Sequence, residues 1–142
     1  MSLAKQYIES YKNIYKDVFN WIEKIKEEAV VNGYVQTYFE RRRLMPELQD
    51  KNKNIFAHGC RQAVNTIIQG TAAEIIKKSM IEIDKYLENK KSKMVLQIHD
   101  EILIEADLQE AEDIIINVKN IMENIITLNV KLIVNFKNKS SW

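Results

Sequence analysis

A single cysteine, Cys60, in a chain of 142 residues excludes an internal disulfide. With only His58 and His99 beside it, no zinc site of His and Cys ligands can be assembled either. A lone thiol is easiest to reconcile with a reducing compartment. No apolar run approaches the roughly 18 residues that a membrane-spanning helix needs, and the first residues do not read as a signal peptide. Excess charge of either sign is also lacking. The net charge is +1, so only the distribution of charge can argue for a polyanionic partner. Proline occurs once and glycine three times while Lys, Asn and Ile are abundant, a bias that fits an AT-rich coding sequence. No internal repeat or low-complexity linker divides the chain. One domain is expected, of a size that buries about 68–70% of its unfolded surface.

What is present begins with a helix over residues 2–31. Ser2 is its candidate N-cap, and Tyr7, Tyr11, Ile14, Val18, Trp21 or Ile22, Ile25 and Ala29 recur at helical spacing. Asn32-Gly33 is a C-terminal stop. The apolar face is expected to pack on a core, although its aromatic content would also suit a partner surface. Residues 34–48 read as a hairpin that turns near Glu40 and Arg41, because Tyr34, Val35, Thr37, Tyr38 and Phe39 favour strand. Arg41, Arg42 and Arg43 form the one dense basic cluster. It suits either a solvated edge that discourages strand aggregation or bidentate contact with phosphate.

Residues 50–90 read as one long helix capped by Asp50 or Asn52, roughly 54 Å long if it runs from Asn54 to Asn89. Its apolar stripe runs through Ala57, Cys60, Val64, Ile67, Ile68, Ala72, Ile75, Ile76, Met80, Ile83 and Leu87. Off that stripe, Arg61, Asn65 and Gln69 share a face, drifting about 40° and rising about 6 Å per step. All three donate hydrogen bonds, and Asn and Gln also accept them. That chemistry can read minor-groove acceptors and sugar-phosphate from one rigid rod, and it also describes an ordinary wet helix face. Gly70 costs about 1 kcal/mol against Ala inside a helix, which close approach of another backbone would justify. Downstream, Asp107 is expected to cap a helix over 108–126, residues 130–136 read as a last strand, and Ser140, Ser141 and Trp142 form a tail.

The stretch around which the chain is organised is Met94–Glu105, MVLQIHDEILIE. Met94, Leu96 and Ile98 alternate with Val95, Gln97 and His99, and Ile102 and Ile104 alternate with Glu101, Leu103 and Glu105. The period of two predicts two strands on either side of a His99-Asp100 turn. Such a turn demands positive φ, for which Asn-Gly or Asp-Gly would be the first choice. Ionisable residues there suggest a site. Asp100 and Glu101 place two carboxylates one residue apart. A hard cation such as Mg²⁺ relieves their repulsion through oxygen ligands, taking the rest of its shell from water and substrate phosphate. A solvated acidic turn is the plainer reading of these residues alone.

Three longer matches weigh against the plain reading. Gln97-Ile98-His99-Asp100-Glu101-Ile102-Leu103-Ile104-Glu105 resembles the third polymerase motif, Q-(V/I)-H-D-E-x-x-x-E, of the family A DNA polymerases. Gly33, Tyr34, Val35, Thr37, Arg41, Arg42, Arg43, Pro46 and Glu47 match the family segment G-Y-V-x-T-x-x-G-R-R-R-x-x-P-(E/D). Glu40 stands where that pattern has Gly. Residues 61–74, RQAVNTIIQGTAAE, resemble R-x-A-x-N-x-P-(I/M)-Q-G-T-A-A-(D/E), with Ile67 in place of Pro. Just before this segment, Cys60 replaces a usual Glu.

The resemblance covers nearly the whole chain. It implies an α+β fold: a small antiparallel palm sheet with long helices packed on it, as an incomplete polymerase domain. Residues 1–33 would be a helical part of the fingers. Residues 34–142 would be the C-terminal half of the palm, with a long helix over 52–90, the catalytic hairpin over 94–105, a helix over 108–126 and a strand over 130–136. The implied chemistry is template-directed DNA synthesis in replication or repair, by transfer of a dNTP to a primer 3′-hydroxyl with two Mg²⁺ ions. Asp100 and Glu101 would hold metal, and an aspartate outside this chain would complete the site. His99 and Gln97 would position the primer terminus, Arg61, Asn65 and Gln69 would contact primer-template DNA, and Arg41, Arg42 and Arg43 phosphate. The implied partners are primer-template DNA, dNTP and the remainder of a polymerase chain, with no membrane. The implied compartment is bacterial cytoplasm or a DNA-containing organelle. The basic helix that grips the triphosphate is missing, so the chain alone is expected to be inactive. A non-catalytic DNA-binding or interaction module is the competing expectation. A His-Asp phosphohydrolase would need more ligands than His58 and His99 supply.

Overall fold

The first thirty residues do form helix, but in two segments. The computed structural model describes residues 3–139, so Ser2 and the tail residues Ser140, Ser141 and Trp142 lie outside the described residues. Helix α1 spans Leu3–Ile14 and α2 spans Lys16–Asn32. They part at Tyr15, whose φ of −105° and ψ of 39° leave the helical region. The hydrogen bonds from Tyr15 N–H to the Tyr11 carbonyl and from Phe19 N–H to the Tyr15 carbonyl survive the break. Apolar spacing therefore continues across it, which is why periodicity alone reads a single helix. At the far end Gly33 stops α2 as expected, with φ 73° and its N–H on the Ala29 carbonyl.

The chain divides into two units at Thr71, inside the long helix. In the first unit, β1 (Tyr34–Gln36) pairs antiparallel with β2 (Arg42–Leu44), Val35 lying opposite Arg43. The strands stop short of Leu48 because Pro46–Gln49 winds into a 3₁₀ turn, with Pro pre-set for its start. The core joins Ala29, Val35, Met45, Leu48 and Ala63, flanked by Ile25, Val30, Cys60 and Ile67. Helix α1 contributes nothing to it. Tyr7 is 68% exposed and no residue of α1 is buried, contrary to the core-packing expectation. Its aromatics pack locally instead, with the Tyr11 and Tyr15 rings 4.8 Å apart and Phe19 edge-on to Tyr11.

Helix α3 spans Lys53–Leu87, 35 residues or about 52 Å. Asn52 is its cap: the side-chain oxygen accepts the Asn54 N–H at 2.9 Å and the carbonyl accepts that of Phe56. The expected stripe is partly correct. Ile83 and Leu87 are buried, but Ala57, Ile68 and Ala72 are exposed, and Ala63, outside the stripe, is fully buried.

The second unit carries β3 (Lys93–Ile98), β4 (Glu101–Glu105) and α4 (Ala111–Asn124). Ile83, Leu87 and Ile114 form its core, with Met94, Ile102, Ile104, Val118, Ile121 and Met122 packed around them. The α+β class holds, although the strands form two separate two-stranded sheets instead of one. Two boundaries are corrected. Asp107 Oδ1 does accept the Gln109 N–H, but it caps a turn, and the helix starts at Ala111 and leaves Leu108 94% exposed. Residues 130–136 form no strand. Val134 N–H donates to Glu123 Oε1 at 2.9 Å, and β3 and β4 pair only with each other. Alternating burial persists there without a ladder, so a period of two alone was insufficient.

One carboxylate joins the approach to β3 to the start of α4. Glu110 accepts the backbone N–H groups of Lys91 and Ser92 and, at 2.6 Å, the Ser92 hydroxyl. The buried Ser92 Oγ in turn accepts the Asp107 N–H at 2.9 Å. Hydrogen bonds from Ser92, then from the two backbone amides, hold the Glu110 carboxyl below its ordinary pKa. A depressed carboxylate pKa stabilises the fold above the unfolded value, about 4.3 for Glu, and the gain is lost as pH falls through the folded value. Glu110→Gln is therefore expected to lower the melting temperature at pH 7, with the deficit shrinking as pH drops below that range. Thermal unfolding followed by circular dichroism at pH 7 and pH 3 checks this, and equal deficits at both values would refute it.

Candidate functional site

The β3–β4 hairpin holds its tip by a ladder that ends at the Ile98–Glu101 pair, leaving His99 and Asp100 as the two central residues. Only His99 takes positive φ, 53°, so one residue carries the strain expected of both. A non-glycine residue there costs about 1 kcal/mol or more and persists where its surroundings impose it. One such brace is visible: Gln97 Nε2 donates to the His99 carbonyl across the turn. Gln97, His99, Asp100 and Glu101 are all exposed. A bulge at Val95, between the Met94–Ile104 and Leu96–Leu103 pairs, interrupts the strict alternation expected of β3. Met94 consequently packs on the core with Ile102 and Ile104, while Val95, Leu96 and Ile98 are exposed.

Asp100 and Glu101 thus present oxygen donors from a rigid apex. No group of three or more His, Cys, Asp or Glu able to hold a metal occurs among the described residues. The donor set fits Mg²⁺, which needs only one or two protein carboxylates, as a partial shell that further ligands must complete.

The other candidates lie in the first unit. Arg61, Asn65 and Gln69 are exposed along α3, about 12 Å from first to last. At about 100° per residue, Arg61 points about 200° away from the buried Ala63, so the row occupies the solvent side of the helix. The arginines of the hairpin are exposed but engaged. The Arg42 guanidinium lies 4.7 Å from the centre of the Tyr34 ring. Arg43 donates to Thr66 Oγ1 at 3.0 Å and to Gln62 Oε1 at 3.3 Å, which ties β2 to α3. Gln62 and Thr66 were missed from sequence; their signal was an i, i+4 polar pair one residue along from Arg61 and Asn65.

The turn between β1 and β2 is docked on the same helix. Tyr38 N–H donates to Thr71 Oγ1 at 3.0 Å. Thr37 is buried, and its N–H, carbonyl and hydroxyl bond Arg41, Glu40 and Arg41 respectively. A Cβ on Gly70 would stand 2.8 Å from Thr37 Cγ2. The close approach expected at Gly70 is real, but it is made by a side-chain methyl and not by another backbone. Glu40, at the end of this turn, takes φ 66°.

Comparison with known proteins identifies the family. A family-wide sequence profile, DNA polymerase family A, matches residues 1–142. The chain belongs to DNA polymerase family A. It is 42% identical over 141 residues to DNA polymerase I of Lactococcus lactis subsp. cremoris, covering 98% of this chain and 16% of that protein. It is 37% identical over 139 residues to the thermostable DNA polymerase I of Thermus aquaticus, covering 98% of this chain and 17% of that protein. Among solved structures it resembles the "POL domain of Pol1 from M. smegmatis complex with DNA primer-template and dNTP". The TM-score is 0.87 at 34% identity, over 91% of this chain and 23% of that one. The chain spans about a sixth of the length of the curated relatives it matches.

The Gly70 contact yields a test of how the arginine turn is held. Gly70→Ala gains about 1 kcal/mol of helix propensity but overpacks Thr37 by a typical 1–3 kcal/mol, and Thr37 is fixed by three hydrogen bonds. A net loss of stability is expected. Introduced instead into a Thr37→Ser background, which keeps the hydroxyl and removes the methyl, the same change is expected to stabilise. A double-mutant cycle from chemical denaturation measures the coupling, and additive effects would sink the explanation.

Proposed function

We propose that this chain is the part of a template-directed DNA polymerase that supplies one carboxylate apex of the active site and a helix face for primer-template DNA. The observation that carries the reading is the exposed Asp100-Glu101 pair on a braced hairpin, within a chain matched by the family along its whole length. One solved structure that the chain resembles is a complex with DNA primer-template and dNTP, which supports the same partners here.

Each residue has a role that its chemistry permits. Asp100 offers ligand oxygen to Mg²⁺, and Glu101 assists from the adjacent position. When bound, the metal would neutralise charge on the transferring phosphate and activate the attacking 3′-hydroxyl. His99, held by the turn and by Gln97, fixes the apex and orients the primer terminus. Arg61, Asn65 and Gln69 present donors and acceptors at one-turn intervals, suited to minor-groove edges and sugar-phosphate. Arg41, Arg42 and Arg43 hold the hairpin edge positive. Because Arg42 is stacked on Tyr34 and Arg43 is bonded to α3, both reach phosphate only through donors left over from those contacts.

The chain on its own is expected to bind DNA without extending it, since Asp100 and Glu101 offer only a partial Mg²⁺ shell. Two measurements on the purified chain test this. Fluorescence anisotropy with a labelled primer-template should show binding whose log affinity falls linearly with log salt, and Arg61→Ala should weaken it. A primer-extension assay with Mg²⁺ and all four dNTPs should yield no product. Extension that Asp100→Ala abolishes would overturn the inactivity, and absence of DNA binding at low salt would overturn the binding role.

A further inference from the structure

The turn that carries the arginine cluster contains a residue whose backbone and charge both argue against its presence there. Glu40 has φ 66°, in the left-handed region that favours glycine. Its backbone is fully used: the N–H donates to the Thr37 carbonyl at 3.0 Å and the carbonyl accepts Gln36 Nε2 at 3.1 Å. The conformation is therefore imposed by the turn. The side chain is exposed. A glycine would satisfy the same hydrogen bonds with no strain. The segment pattern that this hairpin resembles has glycine at that position. What glutamate adds is a carboxylate, next in sequence to Arg41, Arg42 and Arg43, on a turn docked to α3 through Thr71.

We propose that Glu40 is an electrostatic brake on this edge: a negative charge on a pinned turn that weakens the hold of the arginine hairpin on nucleic-acid phosphate. The inference rests on the DNA-binding role proposed above. A solvent-exposed charge at an interface rim acts chiefly on association rate and on salt dependence, because its field extends about a Debye length, about 10 Å at 0.1 M salt. The carboxylate opposes approach of the duplex and subtracts from the effective number of phosphates that the hairpin neutralises. Its action needs no contact with DNA. A brake of this kind favours release and movement along the duplex over tight parking.

The test separates charge from backbone strain. Glu40→Gln removes the charge and keeps the strained conformation, whereas Glu40→Gly removes both. Binding of the full chain to a labelled primer-template is followed by anisotropy between 25 and 300 mM salt, as rough working limits set by the screening range. Both variants are expected to bind roughly two- to fivefold tighter at low salt, with the gain vanishing at high salt. The slope of log affinity against log salt should steepen by up to about one. Only Glu40→Gly should also raise the melting temperature. Unchanged affinity and slope in Glu40→Gln overturn the brake, as does a gain confined to Glu40→Gly, which would assign the effect to backbone conformation. In either case loss of binding in Arg61→Ala shows that the DNA-binding reading still stands. If wild type and both variants all fail to bind at low salt, the DNA-binding reading and the brake fall together.

Discussion

Burial against α3 is the constraint on which the other elements of each unit depend, and each unit packs on its own stretch of that helix. Ala63 closes the first core, and Ile83 and Leu87 close the second. In the first unit the small residues on the packed face matter as much as the apolar ones. At Gly70 and at the fully buried Ala63 the helix carries little or no side chain, and at Gly70 Thr37 comes so near that a Cβ would clash with it. Close packing on that side leaves Arg61, Asn65 and Gln69 on the far side as a rigid exposed row. The polar pair Gln62 and Thr66 lies between the two faces and takes up the Arg43 guanidinium. One helix thus separates a packed face, a bracing edge and a wet face by rotation alone, at about 100° per residue.

The elements most legible in sequence were those with a local cause. Gly33 stops α2 because left-handed φ suits glycine, and Asn52 caps α3 because its side chain reaches the Asn54 N–H. The turn at His99-Asp100 followed from alternation on both sides. What was not legible depended on tertiary partners. The break at Tyr15 leaves the apolar period intact. The bulge at Val95 shifts register without altering composition. Residues 130–136 have strand chemistry but no neighbour to pair with among the described residues, and Ile133 is 77% exposed. Among the candidate site residues, exposure at the hairpin tip was foreseeable from their polarity. The engagement of Arg42 with Tyr34 and of Arg43 with α3 was not, because both partners are set by the fold.

The two units differ in what holds them. The first is tied around Thr37, Thr66 and Thr71 by backbone hydrogen bonds and by the Arg43 guanidinium on Thr66 and Gln62. In the second the acceptors are carboxylates. Glu110 binds the Lys91–Ser92 backbone, and Asp113 accepts from Tyr86 Oη and Lys90 Nζ, each at 2.7 Å. The Lys90 ammonium also lies 4.8 Å from the centre of the Tyr86 ring. The hydrogen bond to Asp113 raises the Lys90 pKa, and Lys90 in turn lowers that of Asp113. With Asp113 exposed, this pair is worth little as a salt bridge; its value is geometric, since with Tyr86 it fixes the end of α3 against the first turn of α4.

Among the described residues the non-glycine positions with positive φ are Glu40 and His99, each on a hairpin turn beside candidate site residues. Each is exposed, and each turn is pinned by a side chain from its own hairpin: Gln36 to the Glu40 carbonyl and Gln97 to the His99 carbonyl. The parallel has a physical basis. A hairpin ladder and a bracing glutamine can hold an unfavourable backbone because their combined hydrogen bonds exceed a strain of about 1–3 kcal/mol. A turn so held fixes the backbone from which its apical side chain projects. A relaxed glycine turn would carry no apical side chain at all. On the reading proposed above, an ionisable side chain at each strained position is what a glycine could not supply.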